Sequence, residues 1–178
     1  MNRAGRPTPS SASTGAPAGE VTIRPVRDSF FGSEVDAAVA LYNRAHEGLH
    51  GFFPLTPRRF RRRVLESPHF QPDLFLLAEA GGRPVGLVHA AALGAPCHED
   101  GGVVELLAVD PDHRGQGIGG LLLDAALGRL ARRRPPVIDG GGAFPFSPFY
   151  ATLLDGSERS GIPAESAAAL RLFLRRGF

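Results

Sequence analysis

Apolar and polar residues alternate along VTIRPV, residues 21–26, as they do in a half-buried strand. The period then lengthens. Val35, Ala38, Val39, Tyr42 and Ala45 recur at helical spacing behind Ser33, a suitable helix N-cap, with Glu34 and Asp36 in the first turn where the helix dipole favours acids. Gly48, Gly51 and Pro54 end this helix, and Thr56-Pro57 opens a second, short one through Phe60, Val64 and Leu65 that stops at Ser67-Pro68. The apolar runs 73–80 and 83–93 flank Gly81-Gly82, which predicts a hairpin. A third sheet segment, GVVELLAVD, ends at Asp110-Pro111. A helix follows from Gly117 to Arg133, with Ile118, Leu121, Leu122, Ala125 and Ala126 on one face. PPVID, residues 135–139, predicts a short strand, residues 140–163 are irregular, and a last helix, Ala164 to Arg176, stops at Gly177. The order β-α-α-β-β-β-α-β-α predicts an α/β (α+β) domain with one mixed central sheet flanked by helices.

Composition places this domain. Residues 1–19 are rich in Pro, Ser, Thr, Gly and Ala without an apolar segment, which reads as a disordered tail and not a signal peptide; residues 20–178 form the domain. Hydrophobic residues are 43% of the 178, enough for a packed core, and no apolar run approaches the ~18 residues of a membrane helix. A single cysteine, Cys97, excludes an intrachain disulfide framework, has no visible activating partner and reads as structural. A cytoplasmic protein without membrane contact is expected. All twenty basic residues are arginine, so lysine catalysis and a Walker-type phosphate lysine are excluded. The net charge of +2 lacks the excess of a nucleic-acid binder, and none is expected as a partner.

The chemistry concentrates in VVELLAVDPDHRGQGIGGLLL, residues 103–123. A strand, a break at Asp110-Pro111, a glycine-rich turn and a helix follow one another. Glycines let a ligand approach the backbone, and a helix N-terminus offers unpaired N–H groups and partial positive charge; together they make a phosphate cradle that needs no lysine. Gly115, Gly117 and Gly120 fit G-x-G-x-x-G with Asp139 about 20 residues on, the fingerprint of a dinucleotide-binding oxidoreductase. Against that reading, Pro111–Arg114 separates the strand from the first glycine, and too few residues follow for further βαβ units.

The better match is R-x-x-G-x-G over Arg114–Gly119, behind the strand pattern L-x-V-x-P of Leu107, Val109 and Pro111. Across residues 20–178 the chain resembles the GNAT superfamily of acyl-CoA-dependent N-acyltransferases. The resemblance implies acetyl-CoA as co-substrate and transfer of its acetyl group to a primary amine. The loop residues Arg114, Gly115, Gln116, Gly117, Ile118 and Gly119 would hold the pyrophosphate, and the strand residues Leu107, Ala108 and Val109 the pantetheine arm. The acceptor is expected to be a small-molecule or peptide amine.

Amine acylation needs a deprotonated amine, a positioned thioester and a proton for the leaving thiolate. Glu105, two residues before Leu107, is the candidate base. Relatives carry a tyrosine on the last helix where this chain has Phe173; Tyr150, in the aromatic loop, is the candidate substitute acid. The family's two C-terminal strands are missing after Phe178, and residues 144–163 resemble tandem-domain members of the superfamily, so a non-catalytic acyl-CoA-binding or assembly module is the other alternative. Exposure of the last strand's edge and of Phe144, Phe146, Phe149 and Tyr150 predicts a twofold homodimer. His46-Glu47-Gly48-Leu49-His50 spells the zincin motif H-E-x-x-H, but its glycines suggest an ending helix, and no metal is expected; these histidines are candidates for acceptor contacts. Arg58, Arg59, Arg61, Arg62 and Arg63 form a basic run with Phe60 that reads first as a solvated helix face and second as a contact for an acidic acceptor or the CoA phosphates.

Overall fold

The computed structural model describes residues 20–27, 32–49, 52–92, 101–141, 149, 162 and 166–178. The tail, His50, Cys97, Phe144, Phe146 and Tyr150 lie outside the described residues. Five strands form one sheet in the order β1-β2-β3-β4-β5: β1 (Thr22–Pro25), β2 (Phe75–Ala80), β3 (Arg83–Ala92), β4 (Gly102–Val109) and β5 (Ile138–Gly140). β1 to β4 pair antiparallel, and β5 joins β4 in parallel. The helices are α1 (Ser33–His46), α2 (Pro57–Phe60, continued by a π-helical turn over Arg61–Leu65), α3 (Ile118–Ala131) and α4 (Ala167–Leu174). Among the described residues this is the expected mixed sheet flanked by helices, without the two further strands.

β3 is the middle of the sheet, and every residue from Val85 to Ala91 is buried. Two cores explain this. Val35, Val39, Tyr42, Phe60 and Val64 from α1 and α2 pack on one face against Phe75, Leu77, Leu87 and Ala108. Ile118, Leu122, Leu123, Ala126 and Leu130 of α3 pack on the other against Leu76, Val88, Ala90 and Val104. The β2–β3 turn needs two left-handed residues, supplied by Gly81 (φ +56°) and Gly82 (φ +74°).

Three expectations shift. Helix α1 begins at Ser33 itself, with Gly32 as an extended N-cap that makes no side-chain bond. Its first turn is held by charge, because Glu34 takes Arg24 and the Arg27 N–H instead of leaving the end to a hydroxyl. On α3, Leu121 is half exposed and Leu123 is buried in its place: the face that meets the sheet follows the i, i+4 row of Ile118, Leu122, Ala126 and Leu130. The last strand starts at Ile138 and not Pro135, since prolines donate no ladder bond. The Thr56–Pro57 start is as expected, with Thr56 Oγ1 accepting from the Arg59 N–H at 3.2 Å.

Arg24 joins three elements. From β1 its Nε donates to Glu79 of β2 (2.9 Å), and its Nη atoms reach Glu34 of α1. Burial raises the Glu34 carboxyl pKa, but the bonds from Arg24 and the Arg27 N–H outweigh it, leaving the group below its ordinary 4.5. The folded chain therefore holds fewer protons at Glu34 than the unfolded chain. This stabilisation is complete above pH 4.5 and fades as the pH falls through the lowered value. The melting temperature of Glu34→Gln should accordingly depend less on pH than wild type between about pH 5 and 3. Parallel curves for the two proteins would remove Glu34 from the acid response.

Candidate functional site

The site begins with a mismatch between strands. Across β3 and β4, Ala90 faces Val104 and His89 faces Leu106, so Glu105 is an extra residue on β4, a β-bulge. A bulge reverses the alternation that follows it. Before it, the Gly102 N–H donates to the Val137 carbonyl (2.8 Å) and the Val104 carbonyl accepts from Gly141 (2.9 Å), so these residues turn their polar groups toward β5. After it, the Asp110 N–H donates to the Val85 carbonyl (2.9 Å), which turns Asp110, Ala108 and Leu106 toward β3. Leu107 and Val109 therefore face away from β3, on the side where the described β5 pairing ends with Val104↔Gly140. Among the described residues, the Arg114 side chain on the Val109 carbonyl is the one group that meets the N–H and C=O groups Leu107 and Val109 turn to that side. The bulge also leaves Glu105 and Leu106 on the α1 face, and the Glu105 side chain is buried.

At the end of this edge the chain makes its glycine turn. Gly115 (φ +77°) and Gly117 (φ +82°) are both left-handed, and a Cβ on either would meet nothing within 4 Å, so the turn is open to a ligand. Gly117 is the N-cap of α3, and the first helical bond runs from the Leu121 N–H to the Gly117 carbonyl (3.1 Å). The N–H groups of Ile118, Gly119 and Gly120 thus have no acceptor one turn earlier in the helix, at its positive end. Three consecutive donors and two open left-handed glycines fit a pyrophosphate.

Two arginines tie this turn to the last turn of α1. Arg44 bonds both oxygens of the buried Asp110 carboxylate (3.0 and 3.1 Å) and reaches Asp112 (2.9 Å), while Asp110 also accepts from the Asp112 N–H (3.0 Å). In the opposite direction, Arg114 donates through Nη2 to the Ala45 carbonyl (2.6 Å) and through Nε to the Val109 carbonyl (3.2 Å). The Arg114 side chain thus holds the loop against α1 and occupies one group of the open β4 edge. Beside it, His46 donates from Nδ1 to the Tyr42 carbonyl (2.8 Å) and packs between the Tyr42 and Phe52 rings. Burial, with a smaller contribution from the Arg114 charge, lowers its pKa below 6.5 against the opposing effect of the Tyr42 bond, so the ring is neutral at pH 7.

The structure thus brings together Glu105, Leu107, Ala108, Val109 and the whole of Arg114–Gly119. Helix α1 ends at His46, His50 lies outside the described residues, and no group of three metal-ligating side chains occurs among the described residues. Phe173 on α4 is buried against β5, where a Cβ on Gly140 would lie 2.8 Å from its ring. Phe149, expected on an exposed patch, is instead in the core, edge-on to His89 with ring centroids 4.5 Å apart. Four participants escaped the sequence reading. Arg44 lies 66 and 68 residues before its partners Asp110 and Asp112, so the trio carried no local pattern. His89 sits in an apolar strand among Phe70, Phe75 and Phe149, where burial pushes its pKa down to about 3; a lone imidazole in RPVGLVHAAAL was its only signal.

A sheet of antiparallel hairpins closed by one parallel pair is not the doubly wound parallel sheet of a dinucleotide-binding oxidoreductase, and that alternative falls. The description "Acetyltransferase (GNAT) family" matches residues 35–135. The chain is 35% identical over 128 residues to a mycothiol acetyltransferase of Acidothermus cellulolyticus, covering 66% of this chain and 38% of that protein. It is 42% identical over 78 residues to a mycothiol acetyltransferase of Thermobispora bispora, covering 40% of this chain and 25% of that protein. The match to these curated relatives therefore spans well under half of their length. Among solved structures, the fold resembles the ribosomal-protein-S18-alanine N-acetyltransferase from Escherichia coli (TM-score 0.59, 19% identity, 89% of this chain and 77% of that one). It also resembles an aminoglycoside acetyltransferase from an uncultured soil metagenomic sample (TM-score 0.61, 15% identity, 89% and 88%). The chain belongs to the acetyltransferase (GNAT) family.

Gly117→Asp places a carboxylate at the turn that faces the open donors and adds strain at φ +82°. It should weaken acetyl-CoA binding by at least ~100-fold in calorimetry, whereas Gly117→Ala should lose stability, about 1 kcal/mol, with a smaller change in affinity. Equal affinity in the aspartate variant and wild type would dissociate the turn from coenzyme binding.

Proposed function

We propose that this chain moves an acetyl group from acetyl-CoA to the primary amine of a small-molecule or peptide acceptor by direct transfer. One observation carries the reading: an open left-handed glycine turn with three helix N-terminal donors stands at the end of a strand whose second half has no β5 partner among the described residues, next to a buried glutamate. The coenzyme supplies the thioester carbonyl and the leaving thiol. The N–H groups of Ile118, Gly119 and Gly120 bind its pyrophosphate. The Leu107 N–H and C=O and the Val109 N–H bind the pantetheine arm, the Val109 carbonyl being already held by Arg114. Glu105 takes a proton from the acceptor ammonium, directly or through one water, and the freed amine attacks the thioester carbonyl; the C–S bond breaks and the thiolate leaves with a proton from Tyr150 or water. Arg114 acts by holding the loop, and His46, neutral and beside that loop, borders the acceptor side. The reaction belongs in the cytoplasm of a bacterium.

Phe173, which has no proton to give, favours a second reading in which the chain binds acyl-CoA without turnover. Turnover with a panel of amines separates the two. The catalytic test is Glu105→Gln. Its turnover should fall by about 10²-fold with acetyl-CoA affinity retained, and the deficit should shrink as rising pH deprotonates the amine unaided. A loss of equal size at every pH would make Glu105 a positioning residue.

We also infer a twofold dimer. β5 is three residues long, and its outer edge carries no strand among the described residues, which invites pairing with a second copy. The burial of Phe149 takes away part of the apolar patch expected to help. Light scattering at micromolar concentration should give twice the 18.8 kDa chain mass; a monomer with one cooperative melt would end the idea.

A further inference from the structure

The acceptor side carries a charge feature that the transfer reaction does not use. α2 turns Phe60, Val64 and Leu65 into the core and leaves Arg58, Arg62 and Arg63 exposed. Arg61, between them, is neutralised by Asp36 of α1 (2.7 Å), which also fixes α2 against α1. Arg58, Arg62 and Arg63 make no ion pair among the described residues, and Glu66 at the end of the turn pairs with none of them. Three uncompensated guanidinium groups within six positions exceed the +2 net charge of the entire chain. Arg58 and Arg62, one turn apart, lie side by side on the helix surface.

The position of this row matters more than its charge. α3, the helix that follows the glycine turn, lies on one face of the sheet, whereas Glu105 lies on the other, the face that α1 and α2 cover. An amine that meets Glu105 comes in on the α1–α2 side. Phe60 of α2 packs on Phe75 of β2 (centroids 5.9 Å apart), Phe75 faces His89 in the ladder, and His89 faces Leu106 beside the bulge. Two strand spacings and the height of a helix above a sheet put the arginine tips on the order of 15 Å from Glu105. A small amine at Glu105 does not reach that far. An extended peptide does so in about four to five residues, at ~3.3 Å each. Arginine forks match carboxylates in geometry as well as charge.

Resting on the acetyl-transfer reading, we propose that the acceptor is a polypeptide with acidic side chains about four to six residues from the acetylated amine, and that Arg58, Arg62 and Arg63 hold those carboxylates.

Binding tests this apart from turnover. Fluorescein-labelled ten-residue peptides with a free α-amine, carrying either Glu or Ser at positions four to six, are titrated with the full chain in the presence of CoA, and anisotropy is read. The Glu peptide should bind roughly tenfold tighter than the Ser peptide, with the difference shrinking as salt rises from 50 to 500 mM. Arg58→Ser/Arg62→Ser/Arg63→Ser should abolish the difference while binding acetyl-CoA as wild type does; all three positions are exposed, so the fold is retained. Equal binding of the two peptides, or a preference that survives the triple substitution, overturns the proposal. So does a triple variant that loses affinity for CoA but not for dephospho-CoA, which would assign the arginines to the coenzyme's 3′-phosphate. Selective, arginine-dependent capture of a labelled single-stranded RNA over the Glu peptide also overturns it. Acetylation of a neutral amine without any peptide preference defeats this inference and leaves acetyl transfer standing; a Glu preference in anisotropy without thiol release leaves the row standing and defeats the transfer reading.

Discussion

The geometry of this protein depends on one residue too many in β4. Without the bulge at Glu105 the strand would keep its alternation, pair with β3 in register and turn Leu106, Ala108 and Asp110 toward the side of β5. With it, the alternation reverses, Leu107 and Val109 turn toward the side that β5 leaves, and a carboxylate is set on the opposite face from α3. The hydrogen-bonding edge and the candidate base thus share one cause. A bulge costs ladder bonds, and the fold tolerates it because β3 on its other side is buried along Val85–Ala91.

The arginine ties complete what the bulge begins. A loop between a strand and a helix is free to sway unless something fixes it, and glycines enlarge that freedom. Here Asp110 closes the loop on itself through the Asp112 N–H, while Arg44 and Arg114 cross between the loop and α1. Preorganised donors are worth more to a bound anion than donors that must be ordered on binding. In a chain without lysine, the planar, multiply donating guanidinium suits this bracing, and Arg114 serves two carbonyls that lie on different elements.

What the sequence made legible and what it hid follow from the range of the interactions. The hairpin was readable because Gly81-Gly82 dictates its own turn, and so was the glycine loop, because strand, turn and helix lie within some twenty residues. Thr56-Pro57 announced α2 by the same local logic. The cap of α1 was misjudged because Arg24, well before Ser33 in the chain, holds that end through Glu34. Leu121 was placed inside because periodicity gives the width of an apolar stripe and not the tilt at which a helix meets its sheet. The Arg44–Asp110 pair spans 66 residues and left no trace in any local window. Phe149 looked like exposed surface because nothing in the sequence states that β3 carries His89 in an aromatic box waiting for a lid.

Among the described residues, the parallel ladder between β4 and β5 runs to Val104↔Gly140, and Gly141 gives it one more bond. The reach of the open edge is therefore set by a stopping point in strand pairing and by no side chain in particular. Zipping adds hydrogen bonds, so a sequence change that prolonged the β4–β5 pairing would stabilise the sheet while sealing the edge that binds. Selection for a tighter fold and selection for an open site pull on this junction in opposite directions, and a variant that gains melting temperature there is a natural place to find lost function with every site residue intact.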